Sequence, residues 1–278
     1  MSRILTALVA VPLLLLIILN GPSWLFLALA LVSALLAYWE LTHLARNVGW
    51  KPLGSGYVAV PGVVLSFYPG FPGFLEASLL AVFVLVLSAV YSRGPSRETL
   101  AEVATTFLAT AYLGSCLGCL VGLRMIAPDQ AGRYWLLFLM AVVMVGDAGA
   151  FFVGRSLGRH PLAPVLSPRK TIEGLVGGAI ASVGAAVLLR KLIFPSLAWP
   201  SVIGLGLSLS LFGVVGDLFE SLLKRSAGIK DTSSLIPGHG GLLDRIDSLL
   251  FTAPLLFLYV RWTSDPSGSL EVLGLPLQ

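Results

Sequence analysis

The sequence predicts an all-α, polytopic integral membrane protein with about nine transmembrane helices and a cytoplasmic amino terminus. Three observations predict it. Of the 278 residues, 56% are hydrophobic and 12% are charged, about half the charged share of an ordinary soluble domain; 32 charged side chains cannot cover a water-soluble globule of this size. The apolar residues form long, unalternating runs, whereas a membrane-spanning strand needs only about ten residues with inside/outside alternation. Finally, Lys and Arg collect in the short connections between runs. Two cysteines and 30 glycines without a three-residue period exclude a disulfide scaffold and collagen, and the apolar composition excludes disorder.

In chain order the predicted spans are about 4–19, 24–44, 53–69, 74–91, 103–123, 134–153, 173–194, 200–223 and 242–260. Arg3 ahead of the first run would also suit a cleaved signal peptide, but Asn20-Gly21-Pro22-Ser23 makes a better helical-hairpin turn than a cleavage site, so the first span is expected to be retained. The third is short and contains Pro61. It is counted because Arg46/Lys51 before it and Arg93/Arg97 after the fourth span are both basic; with both on one side, the chain between them must cross twice around the uncharged turn 69–73.

On this plan one side receives Arg3, Arg46, Lys51, Arg93, Arg97, Arg155, Arg159, Arg169, Lys170, Lys224, Arg225, Lys230 and Arg245. The other receives Arg124, Arg133, Arg190, Lys191 and Arg261. The split of 13 to 5 places the amino terminus in the cytoplasm. Eight of the thirteen fall in segments 154–173 and 224–245, a concentration that orientation alone does not require. The chain therefore divides into a hydrophobic region, 1–133 (spans one to five), a region rich in clustered polar groups, 134–261 (spans six to nine), and a short tail, 262–278. No internal repeat of the secondary-transporter kind is visible.

Carboxylates stand where lipid-compatible residues are expected, and such charges must face protein, water or a partner. Asp147 and Asp217 each lie about six residues inside their predicted spans, roughly 10 Å below the same face. Asp244 and Asp247 open the ninth span, three residues apart on one helix face. Asp217, Glu220/Ser221 and Lys224 follow helical spacing, so one side of the eighth span is a polar row; taken alone, Asp217 and Lys224 could be no more than a structural ion pair. The following loop carries Lys230, Asp231, Pro237, Gly238, His239, Gly240 and Gly241. Glycines flanking a histidine let backbone N–H groups approach phosphate oxygens, and Lys224, Arg225, Lys230 and Arg245 add positive charge. Acidic pairs beside such cations suit Mg²⁺ held between carboxylates and a polyphosphate. In the other basic segment, Ser167-Pro168 reads as an N-cap and first-turn pair. A helix starting there would offer its amino-terminal N–H groups, with Arg169 and Lys170, to an anion.

Ser221-x-x-Lys224-Arg225, Lys230-Asp231, Pro237-Gly238-His239-Gly240-Gly241 and Asp244-Arg245-x-Asp247 together resemble the signature of the phosphatidate cytidylyltransferases, or CDP-diglyceride synthases. Asp147 to Gly174, with Ser167, Arg169, Lys170, Thr171 and Glu173, is also similar to that family. The resemblance is specific over 134–260 and amounts to hydropathy and position over 1–133. It implies transfer of a cytidylyl group from CTP to phosphatidic acid within the lipid bilayer, giving CDP-diacylglycerol and pyrophosphate, with Mg²⁺ and an assisting monovalent cation such as K⁺. It further implies that Asp217, Asp244 and Asp247 bind metal; that Lys224, Arg225, Lys230, Asp231, His239 and Arg245 serve the reaction; and that Ser167, Arg169, Lys170, Thr171, Glu173, Ser221, Gly240 and Gly241 bind substrate. Asp147 is followed by Ala148 rather than a small hydroxyl residue, which sets its role as a metal ligand apart from the others. The implied location is the inner membrane, multi-pass, with the active site toward the cytoplasm; nucleic acid is not a partner, and a homodimer stays open.

Rival readings are a CTP-dependent transferase or kinase acting on another lipid, and an ion-coupled transporter with Asp147 and Asp217 as ion sites. A proton relay does not require the cation-rich glycine loop. Cys116 and Cys119 lack further ligands for zinc and read as small apolar filling beside Gly114 and Gly118. Glu40 and Glu76, near span ends, are left undecided between cavity and packing roles.

Overall fold

The computed structural model describes residues 2–126, 129–233, 235 and 240–264. The described chain is built from helices α1 (Ser2–Asn20), α2 (Ser23–Asn47), α3 (Gly56–Leu65), α4 (Phe74–Ser92), α5 (Arg97–Ala109), a π-helical turn (Thr110–Gly114), α6 (Ser115–Arg124), α7 (Asp129–Leu157), α8 (Ile172–Leu192), α9 (Trp199–Ser226) and α10 (Leu243–Ser264). Among the described residues, six helical segments are long and apolar enough to cross a bilayer: α2, α4, the continuous stretch from α5 through α6, and α7, α8 and α9. A core through α2, α6, α7, α9 and α10 buries Tyr38, Leu123, Phe138, Leu209 and Leu250. α4 instead leaves Leu80, Phe83 and Leu87 exposed, the surface expected of a helix facing lipid. The predicted tail begins while α10 is still helical, and residues 265–278 lie outside the described part.

The third predicted span is helical over only part of its length. Its helix has ten residues, about 15 Å at 1.5 Å per residue, half of what a bilayer core of about 30 Å demands. The preceding residues 50–55 are not helical. Leu53 donates its N–H to Thr106 Oγ1 at 2.9 Å and accepts from Tyr38 Oη at 2.5 Å. Irregular backbone inside a bundle persists only when protein groups satisfy it in this way. At the far end Tyr68 Oη meets Ser23 Oγ at 3.2 Å, so 53–68 does run from the level of Tyr38 to the start of α2.

The chain is mostly helical, as expected of an all-α membrane protein, with one short hairpin added between α7 and α8. Strands β1 (Pro161–Ala163) and β2 (Ser167–Thr171) pair antiparallel, Pro161 with Thr171 and Ala163 with Ser167. The helix expected from Ser167 starts at Ile172, because Thr171 is the cap: its Oγ1 accepts from Gly174 N at 3.1 Å. Pro168, read as a first-turn residue, sits in a two-stranded sheet where each strand has a free edge and a missing N–H costs nothing.

α7 and α8 pack through small residues: Gly146 lies against Ser182, Gly149 against Ala181 and Gly178 against Ala150, the close approach typical of membrane helices. α7 and α9 both overrun their predicted ends, so Asp147 and Asp217 stand ten and nine residues from their helix termini. That is about 14–15 Å of helix beyond each carboxylate. At one end of the molecule Glu102 accepts from Lys51 N at 2.8 Å and pairs with Arg93 at 3.3 Å, which donates to Lys51 O at 2.6 Å. The loops carrying Lys51 and Arg93 are thus on one side, as predicted. At the other end Arg124 and Arg133 donate to Gly21 O (3.1 Å) and Leu19 O (2.5 Å), and Arg190 to Leu197 O at 2.7 Å.

Candidate active site

On α9, Asp217, Glu220, Ser221 and Lys224 share a face because residues three and four apart are neighbours on a helix. Ser221 Oγ donates to Asp217 Oδ1 at 3.4 Å, and Lys224 Nζ lies 3.5 Å from Glu220 Oε1. The Asp217–Lys224 pair that spacing alone would allow is replaced by longer-range partners. Lys170 from β2 reaches Asp217 at 2.6 Å, and Lys224 reaches Asp244 Oδ1 of α10 at 2.5 Å. Both basic segments therefore end on the acidic stripe of α9.

The loop between α9 and α10 is held by two carboxylates. Asp244 Oδ2 accepts from Gly241 N at 2.8 Å and Thr232 N at 3.0 Å. Glu40, on α2 and wholly buried, accepts from Leu242 N at 2.8 Å, Leu243 N at 2.7 Å and Ser233 Oγ at 2.6 Å. Thr232 Oγ1, with one proton, lies 2.9 Å from Asp244 and 3.3 Å from Glu40. Glu40 thus caps α10 from outside, where unsatisfied amides and the helix dipole favour a negative charge. This explains two glycines. Gly240 has φ +79°, a conformation that favours glycine, and a Cβ on Gly241 would collide with Thr232 Oγ1 and Glu40 Oε1. The Gly241 amide expected to face a phosphate is spent on Asp244.

The remaining acids are poorly compensated. Glu220 is 4% exposed and neither of its oxygens has a hydrogen-bond donor. Asp147 lies within electrostatic reach of Asp217 and Asp247, and Glu220 of Asp244 and Asp247. Five carboxylates face two lysines in direct contact, Lys170 and Lys224. Among the described residues no three His, Cys, Asp or Glu side chains form a ready metal cluster. Mg²⁺ does not need one, since it is commonly held by one or two carboxylates with substrate phosphates and water. Hard oxygen donors with an uncompensated buried carboxylate fit such an ion. Asp247, whose Oδ1 accepts from Ser248 N, has an oxygen to offer it; Asp217 would do so by exchanging Lys170, and Asp244 by exchanging Lys224 or a loop donor.

Residues 1–263 match the profile described as the cytidylyltransferase family. The chain belongs to the cytidylyltransferase family. It is 34% identical to the phosphatidate cytidylyltransferase of Staphylococcus saprophyticus over 262 residues, 91% of this chain and 96% of that protein. It is likewise 34% identical to that of Staphylococcus aureus strain COL over 262 residues, and 37% identical to that of Bacillus subtilis over 183 residues, 66% of each chain.

Within this family member the expected site residues are only partly brought together. Asp217, Ser221, Lys224, Asp244 and Lys170 meet directly. Arg169, Lys230, Asp231 and Arg245 lie exposed around them, and Arg225 donates to Ile229 O at 3.1 Å. Ser167 pairs with Ala163 in the hairpin, and Thr171 caps α8. Glu173 turns its carboxylate to Arg159 N (3.1 Å) and to His160 Nδ1 (2.6 Å), bracing the corner between α7 and β1. His239, with Pro237 and Gly238, lies outside the described residues. Glu40, Thr232 and Ser233 were not among the expected site residues. Glu40's one signal was a carboxylate within an apolar run; nothing in sequence order pointed to partners some two hundred residues away. Cys116 and Cys119 are free and buried, and Gly114 and Gly118 abut Val63 and Phe67, the small-residue packing expected of them.

Proposed function

We propose that this protein transfers the cytidylyl group of CTP to phosphatidic acid, releasing pyrophosphate and leaving CDP-diacylglycerol in the membrane. The observation that carries the reading is the convergence of Lys170 and Lys224, one from each basic segment, on the acidic stripe of α9; the named relatives supply the substrates. An oxygen of the lipid phosphate attacks the α-phosphorus, a new P–O bond forms, and the α–β bridging P–O bond breaks. A phosphate monoester is already largely dianionic at pH 7, its second pKa being near 6, so the nucleophile needs no strong base. It needs neutralised charge and in-line placement. Lys170 and Lys224 supply charge within the acidic cluster, and exposed Arg169, Lys230 and Arg245 surround it for the polyphosphate. Mg²⁺, held by Asp217 and Asp247, would screen the polyphosphate charge, and a monovalent cation such as K⁺ would assist. His239 serves as a phosphate donor or loop organiser rather than as the obligatory base.

The same reading places nine crossings in the bacterial inner membrane, with the amino terminus and the acidic site toward the cytoplasm. The joint binding of the Lys51 and Arg93 loops by Glu102 supports the crossing pattern between them. Membranes containing the protein are to be incubated with CTP labelled at the α-phosphate, Mg²⁺ and phosphatidic acid. Labelled CDP-lipid with stoichiometric pyrophosphate is expected, lost on chelation and restored by Mg²⁺. Folded protein that yields no lipid product under these conditions would sink the reading. Topology is checked by membrane-impermeant thiol labelling of single cysteines placed at Asn47 and Gly70, which are expected on opposite faces.

A further inference from the structure

A groove of about 640 Å³ lies between the π-helical turn, α6, α9 and α10. Its α10 wall runs from Phe251 to Trp262 and its α9 wall, antiparallel, from Phe212 to Ser201. Eleven residues on each side correspond to about 16 Å, close to the depth of one leaflet in a hydrocarbon core of about 30 Å. Nearly the whole lining is carbon, and Gly204 and Ser208 give it depth. A cavity of this size with an apolar lining is ordinary for a bound small molecule.

Where the groove ends decides what it holds. Phe251 stands one helical turn from Asp247 on α10. Tyr112, carried on the π-helical turn, meets Phe219 at 5.3 Å and Phe251 at 6.0 Å between ring centroids. Tyr112 and Phe251 line the inner end of the groove, and Tyr112 also lies within electrostatic reach of Glu220 and Asp247, so the groove ends beside the acidic site. π-helical insertions recur at functional sites because they re-aim one side chain, and here that side chain is Tyr112.

Resting on the proposed reaction, we infer that this groove binds one acyl chain of the phosphatidate substrate, with the chain's glycerol end at Tyr112 and Phe251 and its methyl end toward Ser201 and Trp262. The second chain is left to the bilayer. Continuity with the acidic site distinguishes the groove from the flat, lipid-facing surface of α4: a phosphate at Asp217 and Asp247 leaves its acyl chain at the groove's mouth.

Gly204 supplies the test, because no heavy atom lies within 4 Å of where its Cβ would stand. Gly204→Phe puts a ring into the far part of the groove from a Cβ position that meets no protein atom. For dioleoyl phosphatidic acid in mixed micelles, kcat/KM is expected to fall at least tenfold in G204F. Dihexanoyl phosphatidic acid, too short to reach residue 204, keeps its rate, and KM for CTP is unchanged. An unaltered preference between the two lipids would overturn the inference, whether or not G204F changes self-association. In the unmodified protein, phosphatidic acid with a diazirine at the chain terminus is expected to label 201–212 and 251–262, with unlabelled phosphatidic acid competing and phosphatidylcholine not. Label confined to α4 would overturn it equally. Failure of the unmodified protein to convert either lipid removes the proposed reaction instead, while the labelling still reports on the groove.

Discussion

Two buried glutamates, one from each half of the chain, put opposite demands on their surroundings. Glu40, in the amino-terminal region, is wholly buried and accepts from two backbone amides and at least one hydroxyl. Glu220, in the carboxyl-terminal region, is nearly as buried, yet its oxygens have no hydrogen-bond donor and its nearest cation, Lys224, is shared with Asp244. A buried carboxylate is tolerated when donors replace its hydration and is costly when they do not. The amino-terminal polar groups, Glu40, Tyr38, Glu102 and Thr106, are satisfied and hold irregular backbone in place. The acids of the carboxyl-terminal half are left in excess, the condition expected of a site completed by a cation and a charged substrate. Satisfaction of the buried charge, rather than its presence, separates framework from reaction site.

The contrast is broken most directly at the acidic stripe. Asp217→Asn and Asp247→Asn should each lower turnover by about 10²–10³-fold or more, with normal protein levels in the membrane; near-normal rates would remove the metal assignment. Glu220→Gln should separate stability from function. Removing an uncompensated buried charge leaves the thermal midpoint in detergent unchanged or higher, while turnover drops about 10–100-fold, as for groups that tune a metal site. A lowered midpoint would show that Glu220 is framework after all.

Glu40→Ala should show the opposite pattern. Stranding the amides of Leu242 and Leu243 costs about 3 kcal/mol, so the thermal midpoint falls clearly. Because the loop rather than the reacting groups is disturbed, KM for CTP is expected to rise more than kcat falls. Glu40→Gln, which keeps one good acceptor, should recover part of both. A kcat effect alone would move Glu40 into the reaction site. The smallest effect is expected at Cys119→Ala: about 1 kcal/mol or less in stability and unchanged turnover.

Much of this was readable along the chain. Hydropathy and charge placed the helices to within several residues, and Lys and Arg in short loops correctly put Lys51 and Arg93 on one side. Helical spacing predicted the Asp217–Lys224 stripe. The errors were local competitions. At Ser167 a good N-cap signal lost to strand pairing with β1, and Thr171 took the cap instead. At 53–55 the expected third span opens on irregular backbone instead of helix, because Tyr38 and Thr106 satisfy Leu53.

The sequence by itself determined the solvent the protein lives in, its helical class and the clustering of its charges, because composition, period and spacing are properties of neighbouring residues. Only the tertiary structure decided which charges meet. Lys170 with Asp217, Lys224 with Asp244, and Glu40 with the start of α10 are partnerships between residues 20 to 203 positions apart. Each depends on which helix faces are apposed, and a carboxylate's role rests on that apposition: the same side chain is a cap where donors converge on it and a ligand-seeking group where they do not.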